Sequence, residues 1–355
     1  MTEPSLAIVA NPMSGRDIRR LVAHASVFPN TEKASMVQRL VRAAEAVGVG
    51  RVLLSTDTMG VAREVRRRLD AERARERGPH AAVEFLELDR YTGTAQDTTA
   101  LVRRMASRGA RVIVVLGGDG TVRAAASAGE DVPLLPLSTG TNNAFPHVWE
   151  ATVAGVAAGL VTAGRLDPEV ATYRAKALRV RSGAREEIAL VDVCVASMAH
   201  VGAKALWRPE TLRELYCAFA EPHAIGLSSI AGIVHPVPRR SPGGVRLHLS
   251  PDAARQVLAP LAPGLVSRVG VVEAVPLPAG EANPVAVEHG TIAVDGEREI
   301  ELGPGDLATV TLTAEGPLVL DVAAALSAAG QCGQLDVPVE AAVIPSPDDA
   351  GTSHP

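Results

Sequence analysis

The sequence predicts an α/β protein in two parts: an N-terminal doubly wound, mainly parallel sheet domain over residues 1–150, and a C-terminal antiparallel, sandwich-like β domain over residues 151–320. Three observations predict it. Up to residue 150, short aliphatic runs alternate with helical patterns at least five times, as in a parallel sheet wrapped by crossover helices. After Arg165 the chain changes to short β-type runs bounded by Gly, Pro, Asp and Ser. Three polar turns, at 11–16, 117–121 and 138–143, each follow a strand, which gathers them on the edge where such sheets bind ligands.

The first strand is the aliphatic run 5–10. It enters Asn11-Pro12-Met13-Ser14-Gly15-Arg16 and a helical pattern through Ile18, Leu21 and Val22. Ser14, Gly15 and Arg16 at a helix mouth suit a phosphate oxygen, although a plain capped turn has the same composition. Residues 36–47 carry Val37, Leu40, Val41, Ala44 and Val47 on one helical face. Strand 51–55 follows. Asp57 then opens a helix whose stretch 63–77 is dense in charge of both signs, a solvated face laced with ion pairs. Residues 82–86 read as a strand, 91–94 as a turn and 95–107 as a helix.

The central stretch is 110–127. Residues 112–116 are continuously aliphatic, a strand buried on both faces. Gly117-Gly118-Asp119-Gly120-Thr121 is a tight turn that calls for glycine, and a helix is expected from Val122. Strand, turn and helix aim bare N–H groups and a helix dipole at whatever lies above, which favours phosphate. A carboxylate repels phosphate. Asp119 therefore makes sense as a group that holds Mg²⁺ or takes a proton from an attacking hydroxyl, or else as a helix cap. The turn is not a Walker A loop, and Arg123 stands where a dinucleotide fingerprint would place its third glycine. Strand 132–137 ends in Ser138-Thr139-Gly140-Thr141-Asn142-Asn143, a turn of hydroxyls and amides, and 150–160 reads as a helix.

In the second part, β-type runs fall at 171–180, 187–197, 244–249, 267–275, 291–294 and 307–312. Helical patterns at 201–207 and 210–220 interrupt them, and 239–244 is a loop opening on Arg239-Arg240. Segment 321–340 holds a short helix, 322–329, that returns to the first domain. Segment 341–355 has no pattern and is expected to be a disordered tail.

The 355 residues are 47% hydrophobic and only 3% aromatic, so the core must be Ala, Val and Leu. A net charge of −5 without a basic block argues against nucleic acid as partner. No apolar run approaches a membrane span and the start lacks a basic segment, so a cytoplasmic protein without a membrane anchor is expected. Cys194, Cys217 and Cys332 lack metal spacing and read as buried small hydrophobes in a reducing compartment. His200, His223, His235 and His289 lack metal-ligand spacing, and Trp207 and Tyr216 read as packing on helical stretches.

These motifs resemble a known superfamily. Gly117-Gly118-Asp119-Gly120-Thr121 resembles the signature of NAD kinases, diacylglycerol kinases and sphingosine kinases. Asn11-Pro12-Met13-Ser14-Gly15 resembles the NPxSG turn of the lipid-kinase branch, and Ser138 to Asn143 resembles its GTxND turn, with Asn143 where Asp is usual. Asp295-Gly296-Glu297 resembles the DGE element of the β domain. Residues 10–21 with 137–146 look like the ATP-NAD kinase-like family of the acetoin catabolism protein AcoX. The resemblance implies a nucleotide domain, a β-sandwich and a site in the cleft between them. It implies a cytoplasmic, homo-oligomeric kinase using ATP and Mg²⁺ to phosphorylate a hydroxyl, with NAD the first named acceptor and a lipid, a small alcohol or a regulator without turnover as alternatives. Asp119 would be the catalytic carboxylate. Asn11, Ser14, Gly15, Arg16, Gly117, Gly118, Gly120, Thr121, Thr139, Gly140, Thr141, Asn142 and Asn143 would contact nucleotide phosphates. Asp192 would bind the acceptor, and Asp295 and Glu297 would position Mg²⁺ or a phosphate-bound water. In NAD kinases an Asn precedes the acid at 192; here Val191 replaces it.

Overall fold

The computed structural model describes residues 3–14, 28–75, 81–197, 208–287 and 289–336. The N-terminal sheet is built from Ser5–Ala10 (β1), Arg51–Ser55 (β2), Ala82–Leu86 (β3), Ala110–Gly117 (β4) and Leu134–Ser138 (β5), all parallel. Its helices are Asn30–Ala46 (α1), Val61–Arg73 (α2), Ala95–Ser107 (α3), Asp119–Ala126 (α4) and Ala151–Thr162 (α5). Two strands from later in the chain complete the sheet. Leu318–Leu320 (β18) lies parallel to β5, and Thr172–Arg174 (β6), which follows a short helix Pro168–Ala171 (α6), runs antiparallel to β18. The order is β3-β2-β1-β4-β5-β18-β6. The winding direction therefore reverses between β1 and β4, the point at which open α/β sheets bind ligands.

Alternation along each strand divides the core. Ala7, Val9, Ile113 and Val115 face α3 and α4, in a cluster that continues into the second lobe through Leu178, Val180, Val193, Val195, Ile292 and Val310. Leu6, Ile8, Val112, Val114 and Leu116 face the opposite layer of α1, α2 and α5. A strand buried on both faces has no polar side to show, which is why β4 reads as one aliphatic run.

The second lobe is antiparallel. Its strands are Ala177–Ser182 (β7), Arg185–Ala189 (β8), Asp192–Ala196 (β9), Leu212–Cys217 (β10), Gly244–Leu249 (β11), Arg255–Ala262 (β12), Leu265–Leu277 (β13), Ala282–Pro284 (β14), Gly290–Val294 (β15), Glu297–Leu302 (β16) and Ala308–Thr313 (β17). They form one sheet in the order β12-β13-β11-β10-β9-β15-β16 and another in the order β14-β17-β7-β8. Helix Ser228–Val234 (α7) packs with the outer cluster of the larger sheet. The final helix, Val322–Gln331 (α8), packs through Val322, Ala325 and Ala329 into the cluster of α1 and α5.

Several expectations are corrected. Segment 210–220 is not a helix: a single 3₁₀ turn, Pro209–Thr211, leads into β10. A register shift between Leu212 and Glu214 puts Leu212 on the same outer cluster as Leu215, and that spacing of three imitates a helix. Tyr216 is accordingly a core residue of a strand. The run 187–197 is broken at Leu190 and Val191 into β8 and β9. Helix α4 begins at Asp119 rather than Val122. Cys194 and Cys217 are buried, but Cys332, just past the last helical turn, is exposed. The expected helical stretches at 18–22 and 201–207, with His200 and Trp207, and the tail 341–355 lie outside the described residues. Among the described residues no helix is long and apolar enough to cross a membrane.

Candidate active site

Three turns meet beyond the carboxyl ends of β1, β4 and β5. Lys33 of α1, fully buried, holds the first from beneath: its Nζ donates to the carbonyls of Asn11 (2.9 Å), Pro12 (3.3 Å) and Ser14 (2.8 Å) and to Asn30 Oδ1 (3.2 Å). The loop is folded around an ammonium much as loops fold around a bound cation. Asn11 Nδ2 donates to Thr121 Oγ1 (2.8 Å), the Ser14 and Thr139 hydroxyls share a hydrogen bond (2.7 Å), and Thr139 N–H donates to the Gly117 carbonyl (3.2 Å). Asn143 Nδ2 donates to Ser138 Oγ (2.8 Å). The structure thus brings Asn11, Ser14, Gly117, Thr121, Thr139 and Asn143 into one network. Gly140 and Thr141 sit at its rim, Thr141 exposed. The amide oxygen of Asn142 is buried and takes no hydrogen bond from a described residue. Gly15 and Arg16 lie outside the described residues.

The glycine turn needs its glycines for room, not for left-handed backbone. Gly118 has a φ of −102°. A Cβ on Gly117 would lie 2.4 Å from Thr121 Cβ, and one on Gly118 would lie 2.6 Å from Asn143 Oδ1. The neighbouring turn presses directly on this backbone.

Asp119 opens α4, where the helix dipole favours a negative charge. Its carboxylate reaches the chain just past Asn143. It accepts the N–H groups of Ala144 (3.1 Å to Oδ1, 3.0 Å to Oδ2) and Phe145 (2.8 Å to Oδ1). Phe145 precedes Pro146, which restricts it to extended backbone and sets the direction of its N–H.

The second lobe reaches the same turn through the hairpin between β15 and β16. Asp295 and Gly296 have φ of 49° and 77°, the two-residue turn that suits Asp-Gly. The buried Asp295 carboxylate accepts the N–H groups of Leu190 (3.0 Å), Val191 (2.8 Å) and Asp192 (3.3 Å), which explains the break between β8 and β9. Burial pushes its pKa up from 3.8 to about 7, with Arg123 pulling it down and Asp119 pushing it further up. Arg123, on α4, sits among three carboxylates: Glu187 (3.6 Å), Asp295 (3.9 Å) and Glu297 (4.0 Å). Glu297 overhangs the turn, 3.5 Å from where a Cβ on Gly120 would stand.

This arrangement does not fit Asp295 as a metal ligand. Its oxygens take main-chain N–H groups, and a guanidinium already lies beside it. Among the described residues no three His, Cys, Asp or Glu side chains group so as to hold a metal ion. Glu297, with its side chain 39% exposed, is the carboxylate of the pair that has access to the cleft. Asp192 contributes its backbone to the Asp295 turn, and the residue is only 4% exposed.

Reading the residues did not single out Lys33, Glu187 or the amides of Ala144 and Phe145, and it placed Arg123 only as a missing glycine. A lysine amid the apolar residues of a helix face was the one available signal.

Residues 6–166 match the family model described as the ATP-NAD kinase N-terminal domain, and residues 176–315 match the acetoin catabolism protein X C-terminal domain. The chain is 41% identical over 338 residues to acetoin catabolism protein X of Cupriavidus necator, covering 92% of this chain and 93% of that protein. Among solved structures it is similar to yeast NADH kinase complexed with NADH, at a TM-score of 0.46 and 15% identity, over 90% of this chain and 83% of that one.

Proposed function

The chain belongs to the acetoin catabolism protein X family, and we propose that it is an ATP-dependent phosphotransferase acting on a hydroxyl of a small molecule. One observation supports this best: Asp119 stands at the winding reversal of the sheet, held by main-chain donors of a second polar turn and overhung by the second lobe. Phosphoryl transfer asks mainly for positioning and charge neutralisation, which such a ring of turns can supply.

In this reading the turns containing Asn11, Ser14, Gly117, Gly118, Gly120, Thr121, Thr139, Gly140, Thr141, Asn142 and Asn143 receive the nucleotide phosphates. Asp119 orients the acceptor hydroxyl and takes its proton. The Ala144 and Phe145 amides hold its carboxylate in place for that task. Arg123 keeps Glu187, Asp295 and Glu297 from facing phosphate as bare negative charge. Mg²⁺, the usual companion of ATP, belongs with the nucleotide, and Glu297 rather than Asp295 is the carboxylate offered to it. Asp192 and Glu297 line the acceptor side. NAD is the first acceptor to test, from the match to the ATP-NAD kinase domain. Acetoin is the second, a small alcohol suggested by the name of the relative.

The test is ADP release from Mg-ATP with NAD, NADH, nucleosides, polyols and acetoin offered in turn. The expected result is release stimulated by one acceptor in the wild type and lost in Asp119→Asn. No stimulation by any of them counts against the reading.

A further inference from the structure

The Arg239-Arg240 loop takes no part in the ring of turns, yet it ties the second lobe to it. Arg239, with its side chain 14% exposed, forks onto Glu221 (Nε to Oε1 3.0 Å, Nη2 to Oε2 3.1 Å) and lies over the ring of Phe219 at 4.2 Å. Its remaining donors cross to the first lobe, to the carbonyls of Phe145 (2.8 Å) and Ala144. Those are the residues whose N–H groups hold Asp119. The peptide group joining Ala144 to Phe145 is therefore clamped at both ends, its carbonyl by a guanidinium and its N–H by the Asp119 carboxylate.

The loop behind this contact is itself fixed. Lys176, mostly buried, donates to the carbonyls of Pro238 (3.2 Å) and Gly243 (2.6 Å). Arg240 stacks over Tyr173 at 4.5 Å and pairs with Asp321, the cap of α8.

We infer that Arg239 is a positioning residue for Asp119: from the second lobe it orients and polarises the Ala144–Phe145 peptide, so that Asp119 is aligned only while the two lobes are seated together. Hydrogen bonds to charged groups are about twice as strong as neutral ones, and neighbours in a chain strengthen one another. A planar fork can grip Glu221 and two carbonyls at once while its face stacks on Phe219, and a lysine ammonium has no such plane. That this alignment serves phosphoryl transfer rests on the function proposed above; the alignment itself does not.

The experiment is hydrogen–deuterium exchange at the Ala144 and Phe145 amides in the full-length wild type, Arg239→Met, Arg239→Lys, Glu221→Gln and Asp119→Asn, each checked for an unchanged far-UV spectrum. Arg239→Met is expected to exchange these amides at least tenfold faster, to the level of Asp119→Asn, with the amides of β1 and β2 unchanged. Arg239→Lys and Glu221→Gln are expected to fall between. Exchange at 144 and 145 that stays at the wild-type rate in Arg239→Met overturns the inference, as does acceleration spread evenly over both lobes. If Arg239→Met does not fold, wild-type exchange in both Arg239→Lys and Glu221→Gln overturns it equally. Where an acceptor gives turnover, Arg239→Met is expected to lower kcat at least tenfold with KM for ATP within threefold. If the wild type turns nothing over, the kinase reading fails and the exchange result still decides the role of Arg239.

Discussion

At the scale of single residues, the site is governed by which polar groups the backbone has already claimed. Asp119 and Asp295 are both carboxylates bound by main-chain N–H groups, but they differ in access: Asp119 lies partly open above the turn, whereas the Asp295 side chain is fully buried. The folded pKa of Asp295 lies above its unfolded value, so the native chain keeps this proton through a window in which the unfolded chain has lost it. By linkage its contribution to stability falls as pH rises from about 4 to about 7. Urea denaturation of the wild type and Asp295→Asn should therefore give curves of stability against pH that converge or cross over that window, with the wild type relatively strongest at the acid end. Parallel curves contradict the burial argument. Lys33 makes a separate prediction. Lys33→Met leaves the carbonyls of Asn11, Pro12 and Ser14 without their buried donor, at a cost of about 1–3 kcal/mol for such unmet groups. The urea midpoint should fall, and nucleotide binding measured by calorimetry should weaken.

At the scale of elements, some of the chain was legible because one signal dominated. The buried strand β4, the alternation of β1 to β5 with helices, and the clustering of polar turns after strands all follow from aliphatic runs with punctuation between them. Strand β10 was not legible. Its inward Glu214 is buried and shared by the Tyr216 hydroxyl (2.6 Å), Arg246 (2.8 Å) and the Ala286 N–H (2.7 Å), so the alternation is broken by a satisfied polar group that only the fold reveals. Strand β12 was missed because Pro260 interrupts it, which an edge strand tolerates. In the site, the three turns could be read from composition, and Asp295-Gly296-Glu297 only through its resemblance to the DGE element. The long-range partners of Asp119 and Arg123 could not, since they depend on which lobe faces which. Helix packing supplies another prediction. A Cβ on Gly159 of α5 would stand 2.5 Å from Val47 Cγ2 and 2.9 Å from Ala44 Cα. Gly159→Ala gains helix propensity of about 1 kcal/mol but overpacks α1 against α5, at a cost of about 1–3 kcal/mol. A lowered melting temperature is expected; a raised one means that α1 yields.

At the scale of the whole molecule, the two lobes share a core and a site. The cluster facing α3 and α4 continues into the β lobe, and the hairpin carrying Asp295 and Glu297 lands on the helix that Asp119 opens. The first sheet supplies the winding reversal and its turns; the second lobe supplies Glu297, the Asp295 clamp and Arg239. Function is therefore expected to need both lobes, with Asp119 at their junction serving phosphoryl transfer. Mass spectrometry of reactions containing Mg-ATP and NAD, wild type beside Asp119→Asn, tests it most directly. NADP and ADP are expected in equal amounts from the wild type, with a loss of roughly 10²-fold or more in the variant. Equal product from both proteins would contradict the assignment of Asp119, and ADP without any phosphorylated product would contradict NAD as the acceptor.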